Sequence, residues 1–290
     1  MSKIFEALVR NESNAAKLAK AVLADDITAT HAGTHVIEST CISELADEGQ
    51  DTRLESTLCG IVEQTTQLAR GSPILPFDGS NPEAAEQYRI IRTRIQQHPA
   101  QPKMLMVSSP MPGDGKTISA INVAAALSLH DSVSVLLLDC DFHRSTVGEF
   151  LGLGAAPGLR EFLQGHVSLA GALVRIAQFP NLYVLTSGAE ATDPGELLSA
   201  ERWQWAKGEF LSKFCFVVAD APPIGAVAEY DMLQSACDGV VLVVRQNHTN
   251  RQLWQKALET VPKGKLLGVI LNCVEKWFLW KTQSYYYYSG

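Results

Sequence analysis

Residues 104–117 read Met-Leu-Met-Val-Ser-Ser-Pro-Met-Pro-Gly-Asp-Gly-Lys-Thr, and this stretch decides the fold. It begins with a short apolar run, passes through a loop rich in Pro and Gly, and ends on Lys116 and Thr117. The next residues, 118–130, are rich in Ala and Leu and include neither Pro nor Gly. This order predicts a strand, a tight loop and a helix.

The loop has the composition of a phosphate-binding loop. Gly113 and Gly115 can adopt backbone angles that other residues avoid, so that backbone N–H groups approach an anion closely. The helix that follows adds free N–H groups and the positive end of its dipole. In such loops the lysine, here Lys116, reaches the outer phosphates, and the hydroxyl of Thr117 binds Mg²⁺. The usual motif begins with Gly six residues before the lysine, and this chain has Pro110 there, so the match is partial.

Two further apolar runs end in aspartate. One leads into Asp139 and Asp141, and the other leads into Asp220, which is followed by Ala-Pro-Pro. Runs this apolar predict strands buried on both faces of a parallel sheet, and ligands bind at the carboxyl ends of such strands. Carboxylates beside a phosphate site repel one another unless a cation lies between them. Mg²⁺ bound to ATP supplies that cation, so we expect ATP and Mg²⁺ as cofactors.

Strands and helices alternate along the rest of the chain. Further strands are predicted at the apolar runs 182–186, 239–245 and 266–272. Helices are predicted from Pro82 and from Pro194, and the second carries three expected core aromatics, Trp203, Trp205 and Phe210. The predicted fold is therefore α/β, with a doubly wound, mostly parallel sheet of the P-loop NTPase type.

The N-terminal part differs from the rest in composition. Residues 1–80 hold 12 acidic and 6 basic side chains, so most of the net charge of −7 lies there. Residues 2–24 show two weakly helical segments, and residues 25–80 show no sustained hydrophobic period. We predict a largely disordered N-terminal arm and acidic linker over 1–80, a P-loop domain over 81–275 and a Tyr-rich aromatic tail over 276–290.

Composition excludes several classes of protein. With 290 residues, 46% of them hydrophobic, the chain can bury a full α/β core. No apolar run approaches the ~18 residues that span a bilayer, so no direct membrane span is expected. The six cysteines form no Cys-x-x-Cys pair and are predicted to be reduced thiols outside any metal site. Basic residues are not clustered, so nucleic acid is not an expected partner.

Two patterns outside the loop are unusual. Glu86, Arg89 and Arg92 are spaced at i, i+3 and i+6 on the predicted helix. They form either a solvated face with one ion pair, worth ~0.2–0.5 kcal/mol, or a charged subunit contact. Residues 285–288 are four consecutive tyrosines, of seven in the chain. They cannot all face a core, because successive side chains diverge in helices and strands alike.

Together these features resemble the bacterial tyrosine kinases (BY-kinases), in particular the autokinases that act as exopolysaccharide chain-length determinants. The phosphate loop, residues 135–141 and residues 216–223 are similar to the three Walker segments of that family. The helix with Glu86, Arg89 and Arg92 matches its Glu-x-x-Arg-x-x-Arg motif. Residues 2–8 are similar to the start of the exopolysaccharide subgroup, and residues 285–288 to its tyrosine cluster.

The resemblance implies ATP-dependent phosphoryl transfer to the tail tyrosines Tyr285, Tyr286, Tyr287 and Tyr288. Lys116 would neutralise charge on the transferred group. Either Asp139 or Asp141 would orient or deprotonate the tyrosine, whose phenol pKa of ~10 demands such help. The expected Mg²⁺ ligands are Thr117, Asp139 and Asp220. The expected nucleotide-binding residues are Pro112, Gly113, Asp114, Gly115, Lys116, Thr117, Ile118, Arg144 and Asn272.

The resemblance also implies partners and a location. The helix with Glu86, Arg89 and Arg92 would join the subunits of a homo-oligomer. A separate transmembrane polysaccharide co-polymerase would activate the chain. The protein would then be cytoplasmic, recruited to the inner membrane by that partner, and would regulate exopolysaccharide polymerisation, chain length or export.

Two other functions compete with this one. A partitioning ATPase of the Par/Min type has a similar fold but carries a second lysine in the loop, where this chain has Met111, and lacks a tyrosine cluster. A catalytically inactive module of a polysaccharide-export complex is the least favoured, because Lys116 and the three aspartates are intact. One departure from the kinase pattern is residues 142–145, Phe-His-Arg-Ser, where many relatives have two basic residues and a Pro.

Overall fold

A computed structural model of the chain describes residues 5–7, 61–68, 72–153, 157–189, 194–198 and 200–274. Nine strands in these ranges form one sheet. They are β1 (Phe5–Ala7), β2 (Val62–Gln64), β3 (Met104–Ser108), β4 (Val135–Asp139), β5 (Val174–Ile176), β6 (Phe179–Leu185), β7 (Phe216–Asp220), β8 (Gly239–Arg245) and β9 (Leu266–Asn272). The helices are α1 (Pro82–Gln96), α2 (Lys116–Ser128), α3 (Val147–Leu151), α4 (Leu159–Gln164), α5 (Leu169–Ala172), α6 (Pro194–Leu197), α7 (Ala200–Leu211), α8 (Glu229–Ala236) and α9 (Arg251–Thr260).

The sheet is mostly parallel and doubly wound, as the sequence predicts. Its strand order is β1-β9-β8-β3-β7-β4-β6-β5-β2. The six strands from β9 to β6 run parallel to one another. Only the pairs β1–β9 and β5–β6 are antiparallel among the described strands. The carboxyl ends of β3, β4, β7, β8 and β9 therefore meet at one edge of the sheet.

A hydrophobic core covers each face of the sheet. Because successive side chains of a strand point to opposite faces, Met104 and Met106 of β3 enter one core while Leu105 and Val107 enter the other. The first core is closed by α4, α7, α8 and α9. The second is closed by α1 and α2. Burial on both faces explains why the central strands are continuous apolar runs.

Helix α1 begins and packs as its sequence indicates. The side chain of Asn81 accepts a hydrogen bond from the N–H of Ala84 at 3.2 Å, and Pro82 occupies the first helical turn. The apolar stripe of the helix, Tyr88, Ile91 and Ile95, is buried.

The folded part of the chain starts before residue 81. β2 pairs with β5, and the buried side chain of Leu75 joins the second core. Asn122 of α2 fixes this segment, because its Oδ1 accepts from the N–H of Leu75 at 2.7 Å and its Nδ2 donates to the carbonyl of Pro73 at 2.8 Å. Residues 61–68 and 72–77 are thus part of the folded domain, whereas residues 78–80 are exposed. The division into three parts otherwise stays a prediction, since most of 1–60 and all of 276–290 lie outside the described residues.

Two local predictions are wrong. Phe5–Ala7, predicted as part of a weak helix, forms β1, because the edge strand β9 offers unpaired backbone groups that outweigh a marginal helical tendency. Trp205 is 51% exposed, whereas Trp203 and Phe210 are buried as expected. The Trp205 ring stacks on Phe162, with ring centroids 5.1 Å apart.

The described cysteines Cys140, Cys215, Cys237 and Cys273 are free thiols. In the part of the chain that the structure describes, no group of three or more His, Cys, Asp or Glu side chains is arranged to hold a metal ion. No helix within the same ranges is long and apolar enough to cross a membrane.

Candidate active site

The loop between β3 and α2 is shaped to receive an anion. Gly113 and Gly115 have φ angles of +86° and +95°, in the left-handed region that favours glycine. A Cβ on Gly115 would lie 2.0 Å from Nδ2 of Asn272, so glycine is required there for space as well. The backbone N–H groups of residues 113–117 have no acceptor among the described residues. These free donors at a helix N-terminus form an anion cradle.

A turn after β8 fixes this loop from one side. The carboxylate of Asp114, which is fully buried, accepts from the N–H of Met111 at 3.0 Å, from Nδ1 of His248 at 2.9 Å and from Oγ1 of Thr249 at 2.8 Å. Nη1 of Arg245 donates to the carbonyl of Gly113 at 3.2 Å. Asn272, the last residue of β9, donates from Nδ2 to the carbonyl of Asp114 at 2.9 Å.

Lys116 lies among carboxylates on the other side of the loop. Its Nζ is 2.7 Å from Oδ2 of Asp141 and 3.6 Å from Oδ1 of Asp220. Oγ1 of Thr117 donates to Oδ2 of Asp220 at 2.7 Å. Oδ1 of Asp220 is buried and has no hydrogen-bond partner within the described ranges. The loop lysine and threonine therefore contact two of the three strand-end aspartates directly.

Asp139 is held by the segment that follows β4. Its Oδ2 accepts from Oγ of Ser145 at 2.7 Å and from the N–H of Val147 at 3.3 Å, and its Oδ1 accepts from the N–H of Asp141 at 3.3 Å. The N–H of Arg144 donates to Oδ1 of Asp141 at 3.1 Å. The Arg144 side chain is exposed beside the cluster.

Burial and mutual repulsion raise the pKa values of Asp139 and Asp220. Burial raises the pKa of Asp220 to about 7, and the nearby Lys116 charge only partly opposes this. Burial raises the pKa of Asp139 to about 6, against hydrogen bonds from Ser145 and Val147 that lower it. Burial lowers the pKa of Lys116, but the surrounding carboxylates, Asp220 first, outweigh it and raise the pKa overall. Three carboxylates share one ammonium, so the site is short of positive charge.

Most of the predicted site residues come together. Those around the loop are Gly113, Asp114, Gly115, Lys116, Thr117, Asp139, Asp141, Asp220 and Asn272. Pro112 lies in the loop itself, and Ile118 lies in the first turn of α2. Glu86, Arg89 and Arg92 lie on α1, where Arg89 donates to Glu86 at 3.2 Å and both side chains are exposed. Tyr285, Tyr286, Tyr287 and Tyr288 lie outside the described residues.

Sequence reasoning missed several residues that shape the site. Ser145 was quoted only as a departure from a motif, and Arg245, His248 and Thr249 were not singled out at all. Asp114 was expected at the nucleotide, yet its carboxylate is engaged by the turn after β8. These residues could have been found from the sequence, because polar residues directly after a strand lie at the carboxyl edge of a parallel sheet, where ligands bind.

The fold and site together define an α/β P-loop protein of the nucleotide-binding class. No protein-family model matches the chain. The tyrosine-protein kinase YwqD of Bacillus subtilis (strain 168) is 36% identical over 209 residues, which cover 71% of this chain and 86% of YwqD. The tyrosine-protein kinase CpsD of Streptococcus pneumoniae serotype 4 is 33% identical over 193 residues, covering 66% of this chain and 84% of CpsD. The chain belongs to the bacterial tyrosine-protein kinases.

Solved structures agree with this assignment. The kinase domain of VpsO superposes with a TM-score of 0.61 at 29% identity, covering 69% of this chain and 99% of that domain. The chimerical protein CapA2B2 superposes with a TM-score of 0.65 at 25% identity, covering 78% of this chain and 99% of the chimera. The resemblance inferred from the motifs is therefore confirmed, and tyrosine kinase activity is favoured over a partitioning ATPase.

Proposed function

We propose that this kinase phosphorylates its own tyrosines Tyr285, Tyr286, Tyr287 and Tyr288 with ATP at the phosphate loop. The observation that carries the proposal is the position of Lys116, which lies between Asp141 and Asp220 at the end of an anion cradle. A positive charge held beside strand-end carboxylates suits transfer of a phosphoryl group, whose catalysis rests on positioning and charge stabilisation.

The residues present fit ATP and Mg²⁺. The glycine cradle and its free N–H groups suit phosphate oxygens. Mg²⁺ prefers oxygen ligands, which Thr117, Asp139 and Asp220 offer. Oδ1 of Asp220 has no hydrogen-bond partner among the described residues and could therefore accept a cation or a water bound to it. When bound, Mg²⁺ would neutralise charge on the phosphates. Pro112, Ile118 and Arg144 are assigned to the nucleotide by position alone.

Asp141 is the proposed base. Oδ2 of Asp141 pairs with Lys116, while both oxygens of Asp139 already accept hydrogen bonds. When Lys116 moves to the transferred group, Asp141 is released to accept a proton. The tyrosine oxygen would form a bond to the γ-phosphorus of ATP as the bond from that phosphorus to the bridging oxygen breaks. The tyrosine proton would pass to Asp141, and ADP would leave with the bridging oxygen. Asp139 orients Asp141 through the backbone N–H of that residue.

The tail can reach such a site. β9 is parallel to β8, so it ends at the edge that carries the loop, where Asn272 contacts Asp114. From residue 272 to Tyr285 the extended chain spans on the order of 45 Å, at up to ~3.6 Å per residue. That length is enough for the tail to return to the phosphate loop of its own subunit.

The proposed assembly uses α1. The exposed Glu86 and Arg89 and the half-buried Arg92 border an open cleft of about 420 Å³, which offers a charged surface to a second copy. A separate transmembrane polysaccharide co-polymerase is the proposed activator, which would place the kinase at the cytoplasmic face of the inner membrane. The proposed role is regulation of exopolysaccharide polymerisation, chain length or export.

The test compares phosphotyrosine with released phosphate after incubation with Mg²⁺ and radiolabelled ATP. Lys116→Ala should lower phosphotyrosine formation by about 100-fold or more, because it removes a preorganised positive charge from the transition state. Lys103→Ala is the matched control, since Lys103 is exposed at the opposite end of β3. Circular dichroism establishes that both variants are folded. Full activity of Lys116→Ala, or phosphate release without phosphotyrosine, would contradict the proposal.

A further inference from the structure

The turn after β8, residues 245–250, is clamped onto the phosphate loop, and we name it the loop clasp. It is rigid in itself, because the N–H of Arg245 donates to Oγ1 of Thr249 at 2.8 Å and the N–H of Thr249 donates to the carbonyl of Arg245 at 3.0 Å. Asn247 has a φ angle of +57°, which turns the chain sharply. The N–H of Asn250 contacts Sδ of Met111 at 3.3 Å.

Asp114 creates an electrostatic problem in this loop. Its carboxylate has no solvent exposure and lies within the segment whose N–H groups face the phosphates. A negative charge there opposes a polyphosphate, and the opposition is strong where water is excluded. The Lys116 ammonium is already shared among three carboxylates. Asp114 therefore needs a counter-charge of its own.

His248 is placed to supply it. Nδ1 of His248 is 2.9 Å from Oδ1 of Asp114, and in the protonated state of the ring the two form an ion pair. The imidazole also lies against the loop, since a Cβ on Gly113 would be 3.4 Å from Cε1 of His248. Its side chain is 37% exposed. The other cation of the clasp, Arg245, contacts the Gly113 carbonyl rather than the Asp114 carboxylate.

From the strand order we infer which part of a bound nucleotide this pair would face. β7 and β4 lie on one side of β3 and carry Lys116's partners Asp220 and Asp141. β8 and β9 lie on the other side; His248 lies in the turn after β8, and Asn272 is the last residue of β9. The transferred phosphate belongs beside Lys116, so the clasp borders the part of the nucleotide away from the reacting phosphate. An effect of the clasp should therefore fall on binding rather than on the chemical step.

We propose that Asp114 and His248 are a positioning pair for the nucleotide: the Asp114 carboxylate fastens the phosphate loop to the clasp, and the protonated His248 cancels its charge. The inference rests on the proposed nucleotide site at this loop. The position and the charge of Asp114 are thus controlled by different groups. Thr249 and the N–H of Met111 help to hold the carboxylate in place, and among its hydrogen-bond partners His248 alone can carry a positive charge.

Affinity for a fluorescent ADP analogue, measured at pH 6.0, tests the pair in the full chain. His248→Ala should weaken binding about tenfold with kcat for autophosphorylation nearly unchanged, because an uncompensated carboxylate repels the phosphates. His248→Gln keeps a donor but no charge and should weaken binding similarly. Adding Asp114→Asn to His248→Ala should restore affinity to within about threefold of wild type.

His130→Ala is the matched control and should leave affinity unchanged. His130 lies just beyond the far end of α2, about 20 Å from the loop at ~1.5 Å per helical residue, and its Nδ1 also makes a hydrogen bond, at 3.0 Å to Ser132. Urea unfolding of each variant establishes that it is folded.

Two results would overturn the inference. One is unchanged affinity in His248→Gln. The other is a double variant that binds as weakly as His248→Ala. That second result would mean that His248 acts only as a structural contact to Asp114, because removing the Asp114 charge cannot restore a lost contact. If His248→Ala does not fold, His248→Gln and its combination with Asp114→Asn give the same comparison. A wild-type chain that binds no ADP analogue would instead contradict the proposed nucleotide site.

Discussion

Replacing Gly115 with alanine should lower the free energy of unfolding by more than the backbone conformation at that position accounts for. The residue has a φ angle of +95°, and a left-handed conformation costs a non-glycine residue ~1–2 kcal/mol. The new Cβ would also lie 2.0 Å from Nδ2 of Asn272, so the Asn272 side chain must move. That movement breaks its hydrogen bonds to the Asp114 carbonyl and from the N–H of Cys273, at 2.9 and 2.8 Å. At ~0.5–1.5 kcal/mol for each bond, the total becomes about 2–5 kcal/mol.

Gly165→Ala isolates the backbone contribution. Gly165 has a φ angle of +79°, and no atom lies within 4 Å of its would-be Cβ, so this change should cost only ~1–2 kcal/mol. Urea unfolding followed by circular dichroism gives the free energy of unfolding for each variant. In an Asn272→Ala background, Gly115→Ala should cost no more than Gly165→Ala. Equal costs of the two glycine changes in the wild-type background would refute the close contact between Gly115 and Asn272.

Three further predictions concern burial and charge. The pKa of Asp220 is raised from 3.8 to about 7, so between these values the folded state holds a proton that the unfolded state has lost. The free energy of unfolding, measured by urea titration in EDTA, should therefore fall as pH rises from 4 to 7. The variant Asp220→Asn should show a smaller fall over the same pH range. Arg89→Ala combined with Arg92→Ala should lower self-association, and unchanged light scattering across a concentration series at low salt would leave only a solvated face. Asn122→Ala should cost about 2–4 kcal/mol in urea unfolding, since the N–H of Leu75 and a nearby carbonyl lose their buried partner.

The central strands and the phosphate loop could be predicted because their signals are local. The strands at 239–245 and 266–272 have the predicted bounds, since a parallel strand covered on both faces must be a continuous apolar run. The loop is likewise specified by its own residues, because the left-handed angles of Gly113 and Gly115 demand glycine whatever surrounds them.

The edge strands and the loop clasp could not be predicted in this way. β1 and β2 have three residues each, and such short strands form only because β9 and β5 present unpaired edges. His248 meets Asp114 across 134 residues of sequence. A contact of that kind depends on strand order, which no local pattern contains.

Mass spectrometry of the chain after incubation with Mg²⁺ and ATP tests the central claim most directly. The account predicts phosphate on one or more of Tyr285, Tyr286, Tyr287 and Tyr288 in wild type, and about 100-fold less or lower in Lys116→Ala. Each phosphate adds about −1.5 to −2 charges, so phosphorylated forms also separate cleanly on a native gel. Replacing the four tyrosines with Phe keeps the aromatic bulk and removes the acceptors. Phosphate confined to other residues, or phosphotyrosine undiminished in the four-Phe variant, would contradict the account.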